Sequence, residues 1–158
     1  MKFLDFVVRE AIITDLQATT KEGAIREVVR SLQDAGHFAG AALESIMRLL
    51  LGREEIGSTG VGGGWACPGA NCNHPAVARV VGTIALSRRG IEWDALDGEP
   101  VDILFFLISS PKRPADDLGA QEVIGRHMKD DRFRDRLRQA ETREQVFELL
   151  EGADQGNP

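Results

Sequence analysis

The segment Val101-Asp102-Ile103-Leu104-Phe105-Phe106-Leu107-Ile108 constrains this chain most. It is a nearly continuous apolar run of residues that suit a pleated strand, so it belongs in the middle of a sheet and needs cover on both faces. Val77 to Leu86 has the same character and predicts a second strand, while Ala11-Ile12-Ile13-Thr14 reads as a short strand or extended entry. Helices must supply the cover. Ala24, Ile25, Val28, Val29, Leu32 and Ala35 recur at helical spacing, between a capping box at Thr19 and Glu22 and the terminator Gly36. A second helix is expected from about Gly40 to Gly52, with Leu43, Ile46, Met47, Leu50 and Leu51 facing inward and Arg53 delivered at its end. Three more are expected over Asp116–Met128, Asp131–Gln139 and Thr142–Leu150, the last opened by the capping box Thr142-x-x-Gln145. The pattern predicts an α/β fold, a mixed central β-sheet flanked by helices on both faces.

Length and composition agree with one such unit. The 158 residues, 42% hydrophobic and 28% charged, suffice for one domain with a full core, over residues 1–152. Glu151 to Pro158 is small and polar, and 153–158 is expected to be a frayed tail. The net charge of −6, without a basic patch, speaks against nucleic acid as a partner. Charges interrupt the N-terminal apolar run too early for a signal peptide, and no stretch approaches the roughly 20 apolar residues of a membrane helix, so direct membrane insertion is not expected and the chain reads as cytoplasmic. Two cysteines make no disulfide framework in that compartment.

The chemistry concentrates in Gly57-Ser58-Thr59-Gly60-Val61-Gly62-Gly63-Gly64, which runs into Trp65-Ala66-Cys67-Pro68-Gly69. Such a run lets the backbone approach a ligand and offers N–H groups and hydroxyls, an arrangement that suits a phosphate oxygen. It equally describes a glycine-rich turn. Arg53 has two readings of its own, a cation for that anion or a cap on the preceding helix's carbonyl end.

Arg53-Glu54-Glu55-Ile56-Gly57-Ser58-Thr59-Gly60-Val61-Gly62 resembles the motif R-E-x-x-x-S-T-G-[IV]-G of phosphotransferase-system enzyme IIA domains of the fructose, mannitol and nitrogen-regulatory class. Val81-Gly82-Thr83-Ile84 and Gly90-Ile91-Glu92-Trp93-Asp94-Ala95-Leu96-Asp97-Gly98-Glu99-Pro100-Val101 are similar to a later strand and turn of that family, so the resemblance covers nearly the whole chain. It implies the mannitol/fructose-type enzyme IIA fold and an anion site at Arg53, Ser58, Thr59 and Gly60. The family's P-H-[AGTV]-[KR] corresponds to Pro68-Gly69-Ala70-Asn71, so its phosphoryl-accepting histidine falls on Gly69 and its basic neighbour on Asn71. A second histidine of the family corresponds to Asp117, which reads by itself, like Asp116, as the N-cap of a helix.

Histidine suits a phosphoryl carrier because neutral imidazole is nucleophilic near pH 7, and glycine cannot replace it. The resemblance therefore implies a regulatory or protein-binding variant of the nitrogen-regulatory type, with no cofactor and with a protein partner, the phosphocarrier HPr or a regulated enzyme or transporter. Two alternatives stay open. His74, in Cys72-Asn73-His74-Pro75, is the histidine beside the reaction centre and would serve an active carrier that receives its phosphoryl group from HPr. Cys67, Cys72 and His74 would otherwise form a metal- or redox-sensing module, although three ligands fall one short of a structural zinc site. His37 is read as a loop residue, His127 as a cationic ring at a helix C-terminus, and Trp65 and Trp93 as packing residues.

Overall fold

Strand Val101–Ser109 holds the centre of the fold as its apolar run predicts, in a five-stranded sheet of a computed structural model that describes residues 1–41 and 43–156. In chain order the described strands are β1 (Gly60–Gly62), β2 (Trp65–Ala66), β3 (Gly69–Asn71), β4 (Val81–Ile91) and β5 (Val101–Ser109). The α-helices are α1 (Lys21–Asp34), α2 (Leu43–Ile56), α3 (Pro114–Met128), α4 (Asp131–Gln139) and α5 (Arg143–Asp154). One edge of β5 pairs antiparallel with β4. The other carries β2 and then β3, both parallel, Trp65 opposite Ile103 and Gly69 opposite Leu107. The sheet is thus mixed.

The two-residue period of β5 divides the core. Leu104, Phe106 and Ile108 pack with Ile25, Val28, Leu32, Ile46, Met47 and Leu50 of α1 and α2, and with Trp93. Ile103, Phe105 and Leu107 pack with α3, α4 and α5 through Val123, Ile124, Phe133, Leu137, Val146 and Leu150. Helices therefore cover both faces.

Several boundaries move from their predicted places. Thr20, not Thr19, is the N-cap of α1, its hydroxyl accepting from the Gly23 N–H at 3.1 Å, and Glu22 pairs with Arg26 rather than closing a box. Helix α2 passes Gly52 by one turn and ends at Ile56; the predicted start includes Ala42, which lies outside the described residues. Of Ala11–Thr14, Ala11 closes a 3-10 turn (Arg9–Ala11) and the chain becomes extended only from Ile12, linked to β4 by a bridge from Ile13 to Ala85. Strand β4 begins at Val81, Val77 being buried in the loop before it. Helix α5 runs past Leu150 to Asp154 because Ala153 is buried and the Asp154 carboxylate accepts the Phe3 N–H at 2.7 Å. The predicted tail thus begins inside a packed helix; Asn157 and Pro158 lie outside the described residues. The Thr142–Gln145 capping box is present.

His127 also differs from its sequence reading. Its ring lies 5.2 Å from that of Phe3 and 5.6 Å from that of Phe133, and burial, then the Arg126 charge, holds its pKa below the ordinary value. It is a neutral packing ring. Trp93 is fully buried and Trp65 packs half-buried against the second core, as packing residues do. No described helix is long and apolar enough to cross a membrane.

Candidate functional site

The last turn of α2, the loop to β1, strand β3 with Cys67 just before it, Leu107 of β5 and the first turns of α3 line a cavity of about 330 Å³. Arg53, Ser58, Thr59, Cys67, Gly69 and Asn71 line it together with Asp117 and Gln121. Segments far apart in sequence meet there because β2 and β3 lie along one edge of β5 and α3 returns over that edge.

The glycine-rich run serves two separate ends. In its first part, Ser58, Thr59 and Val61 line the cavity, while Gly60, which begins β1, lies outside the lining. The second part is a hairpin, with Gly63 and Gly64 at φ +73° and +81° joining β1 to β2, a conformation glycine adopts without steric cost. Arg138 fastens that turn, donating to the Gly63 carbonyl at 2.7 Å and to Asp102 at 2.8 Å. From the other side, the Gly63 N–H donates to Asp97, whose carboxyl is held below its ordinary range by N–H donors from Glu99 and then Gly63.

Both hydroxyls of the loop are already occupied. Ser58 donates to the Trp93 carbonyl at 2.6 Å and accepts the Gly60 N–H at 3.1 Å. Thr59 donates to Glu54 and accepts from the Trp93 indole N–H at 3.2 Å. Their protons hold the loop rather than point at an anion. Glu54 is the hub: it is buried, accepts the Thr59 N–H at 3.2 Å, and pairs at 3.1 Å with Lys21, which lies over the Trp93 ring. Sequence reasoning passed over Glu54, although a signal existed, since its position continues the buried stripe of Ile46, Met47 and Leu50 along α2.

Arg53 is exposed and donates to the Gly57 carbonyl at 2.8 Å, so it caps the end of α2 while still lining the cavity. Asp117 is half-buried in the first turn of α3 and accepts from Gln121 at 2.8 Å. It is not an N-cap, and neither is Asp116: α3 starts at Pro114 after Arg113, and Asp116 pairs back to Arg113 at 2.7 Å. Asn71 accepts from the Ser109 hydroxyl at 2.7 Å, which leaves its amide nitrogen free of described partners.

The floor of the cavity is Gly69 beside Leu107. A Cβ built on Gly69 would stand 2.5 Å from the Leu107 carbonyl oxygen, a separation that forces β3 or β5 to move. Cys67, between β2 and β3, lines the cavity too; burial first, then the charges of Asp117 and Glu54, push its thiol up to about 12. It stays a thiol near neutral pH.

His74 stands apart from the lining, its Nδ1 accepting the Ala76 N–H at 3.0 Å. Nor are Cys67, Cys72 and His74 gathered as a ligand set, for no group of three histidine, cysteine, aspartate or glutamate side chains converges among the described residues. Cys72 is buried, and burial raises its pKa.

A three-layer α/β domain with a cavity between the edge of its sheet and a helix end, built around the Arg53-to-Gly62 motif, defines a phosphotransferase-type class of protein. Residues 5–153 match the family described as "Phosphoenolpyruvate-dependent sugar phosphotransferase system, EIIA 2", and the chain belongs to that family. A nitrogen regulatory protein of Bradyrhizobium diazoefficiens is 30% identical over 150 residues, 95% of each chain. A PTS system fructose-specific EIIA component of Haloferax volcanii is 32% identical over 143 residues, 89% of each. In fold, nitrogen regulatory protein IIA-Ntr of Neisseria meningitidis superposes with a TM-score of 0.82 at 23% identity, over 92% of this chain and 97% of that one. Enzyme IIA of the Escherichia coli mannitol system, solved in complex with phosphorylated enzyme IIB, superposes with a TM-score of 0.74 at 19% identity, over 92% of this chain and 97% of that one.

Proposed function

We propose that this chain is a nitrogen-regulatory-type EIIA that works by binding a protein partner in the cytoplasm and lacks the phosphoryl-accepting histidine. The observation that supports this reading is the cavity floor, where the motif's histidine position is Gly69 and a side chain would collide with the Leu107 carbonyl. The other lining groups do not replace an imidazole. Cys67 is a thiol whose pKa lies near 12, the Ser58 and Thr59 protons are bonded elsewhere, and Asp117 adds a negative charge where a phosphoryl group would arrive.

The partner meets the rim of the cavity. Val61 lines it and is exposed; Ile56, 85% exposed, lies two residues before Ser58, and Leu118, 59% exposed, follows Asp117. Apolar side chains so placed around a polar centre suit a protein surface. HPr, a regulated enzyme or a transporter is the class of partner, fixed by loss of the histidine in one signalling state.

The test is to incubate the protein with phosphoenolpyruvate, enzyme I and HPr and to read its intact mass under conditions that preserve phosphohistidine. No added phosphoryl group is expected while a histidine-bearing EIIA alongside gains one. A phosphoryl group on this chain, mapped to His74 and lost in His74→Ala but not in His127→Ala, would replace the proposal with a working carrier.

A further inference from the structure

Two opposite charges line the cavity and neither is neutralised. Arg53 and Asp117 both contribute to its wall, yet they make no ion pair with each other or with any other described residue. Arg53 spends one donor on the Gly57 carbonyl, and Asp117 has the Gln121 amide on one oxygen. A guanidinium and a carboxylate that share a cavity without meeting leave room for a molecule between them.

The two charges select that molecule. A phosphate is attracted by Arg53 and repelled by Asp117, and a simple cation meets the reverse. A molecule with both a carboxylate and an ammonium satisfies each wall with a charge-assisted hydrogen bond and brings no net charge. The cavity's volume, about 330 Å³, lies at the small end of ligand pockets, which span roughly 300–1,000 Å³. Leu107, Ala70 and Val61 give it apolar wall, and the Asn71 and Gln121 amides give it further polar groups.

We propose that the cavity binds a small zwitterion of the amino-acid class, its carboxylate on Arg53 and its ammonium on Asp117. The proposal rests on the reading that this cavity transfers no phosphoryl group. The charges around Cys67 agree with the orientation, since Asp117 and Glu54 both raise its pKa beyond what burial does, the mark of a negative potential on the inner side where the ammonium sits. Exposed Arg53 takes the carboxylate at the mouth, beside the apolar rim. A bound zwitterion would therefore lie under the partner surface and couple its own concentration to docking.

The experiment is calorimetry and thermal unfolding of the whole chain with each of the twenty free L-amino acids singly, and with acetate, methylammonium and inorganic phosphate as single-charge probes. At least one amino acid is expected to bind and to raise Tm in a concentration-dependent way, while the single-charge probes do not. Arg53→Ala and Asp117→Asn are each expected to weaken that binding about tenfold or more; Arg53→Ala should also lower the Tm of the free protein somewhat, since it removes the cap on α2, whereas Asp117→Asn should leave it little changed. The proposal is overturned if no amino acid binds, if acetate or phosphate binds as tightly, or if binding survives both substitutions. The regulatory reading is judged separately by the phosphorylation mass, so each idea fails by its own measurement.

Discussion

The Thr59 hydroxyl donates a hydrogen bond to the buried carboxylate of Glu54, and through that contact the loop before β1 is tied to the last turn of α2. Lys21 on α1 holds the same carboxylate, and the Trp93 indole N–H reaches Thr59 from the segment after β4. Two other parts of the chain thus bond one acid that faces away from solvent, and a third, at Trp93, reaches it through Thr59.

Glu54→Gln is expected to destabilise the protein by about 2–3 kcal/mol, because it leaves the Lys21 ammonium without its counter-ion and weakens the acceptor of Thr59. Urea unfolding measures this. Lys21→Met in the Glu54→Gln background should recover part of the loss, and a double variant as unstable as the sum of the two singles would contradict the network.

Gly69→Ala is expected to cost about 1–3 kcal/mol, since its Cβ has no room beside the Leu107 carbonyl and β3 must separate from β5. Gly69→His should be at least as unstable, and it should not acquire a phosphoryl group in the enzyme I and HPr assay. Rapid phosphorylation of a stable Gly69→His protein would show that the strand accommodates the ring.

Arg138→Lys is expected to lose most of what Arg138→Ala loses, about 1–2 kcal/mol, because one ammonium cannot span the Gly63 carbonyl and the Asp102 carboxylate as the guanidinium fork does. Thermal unfolding of the two variants side by side decides it. Equal stability of the lysine variant and the parent would mean the fork is dispensable.

The Cys67 thiol gives the protein an alkaline limit. In the unfolded chain it ionises near its ordinary value of 9.0 and in the folded chain near 12, so between these the unfolded state carries fewer protons and stability falls as pH rises. The slope is at most about 1.4 kcal/mol per pH unit, and Cys67→Ser should flatten it. Denaturant midpoints from pH 8 upward measure the effect, and an unchanged slope in Cys67→Ser would assign it elsewhere. Near pH 7 the same thiol should react slowly with a disulfide reagent until the protein unfolds.

The layered fold was legible because its signals are local and periodic. The nearly continuous apolar run of Val101–Ser109 marks a strand covered on both sides, and the apolar stripes of α1, α2 and α4 mark the helices that cover it. The family resemblance was carried by the Arg53-to-Gly62 motif together with the later strand and turn, and its successive motifs located Arg53, Ser58, Thr59, Gly69 and Asp117, which the fold does bring around one cavity. Only the tertiary structure decided what those residues do there. Whether a hydroxyl faces an anion depends on which acceptor lies closer, and for Thr59 that acceptor is Glu54, set by how α2 packs on α1. Whether a glycine merely lacks a side chain or forbids one depends on the strand beside it, and for Gly69 that strand is 38 positions away at Leu107. Whether Arg53 and Asp117 neutralise each other depends on the gap between α2 and α3. Hydrogen bonds, close contacts and charge pairs act over a few ångströms between segments distant in sequence, so the order of residues names the participants and the packing of the chain assigns their roles.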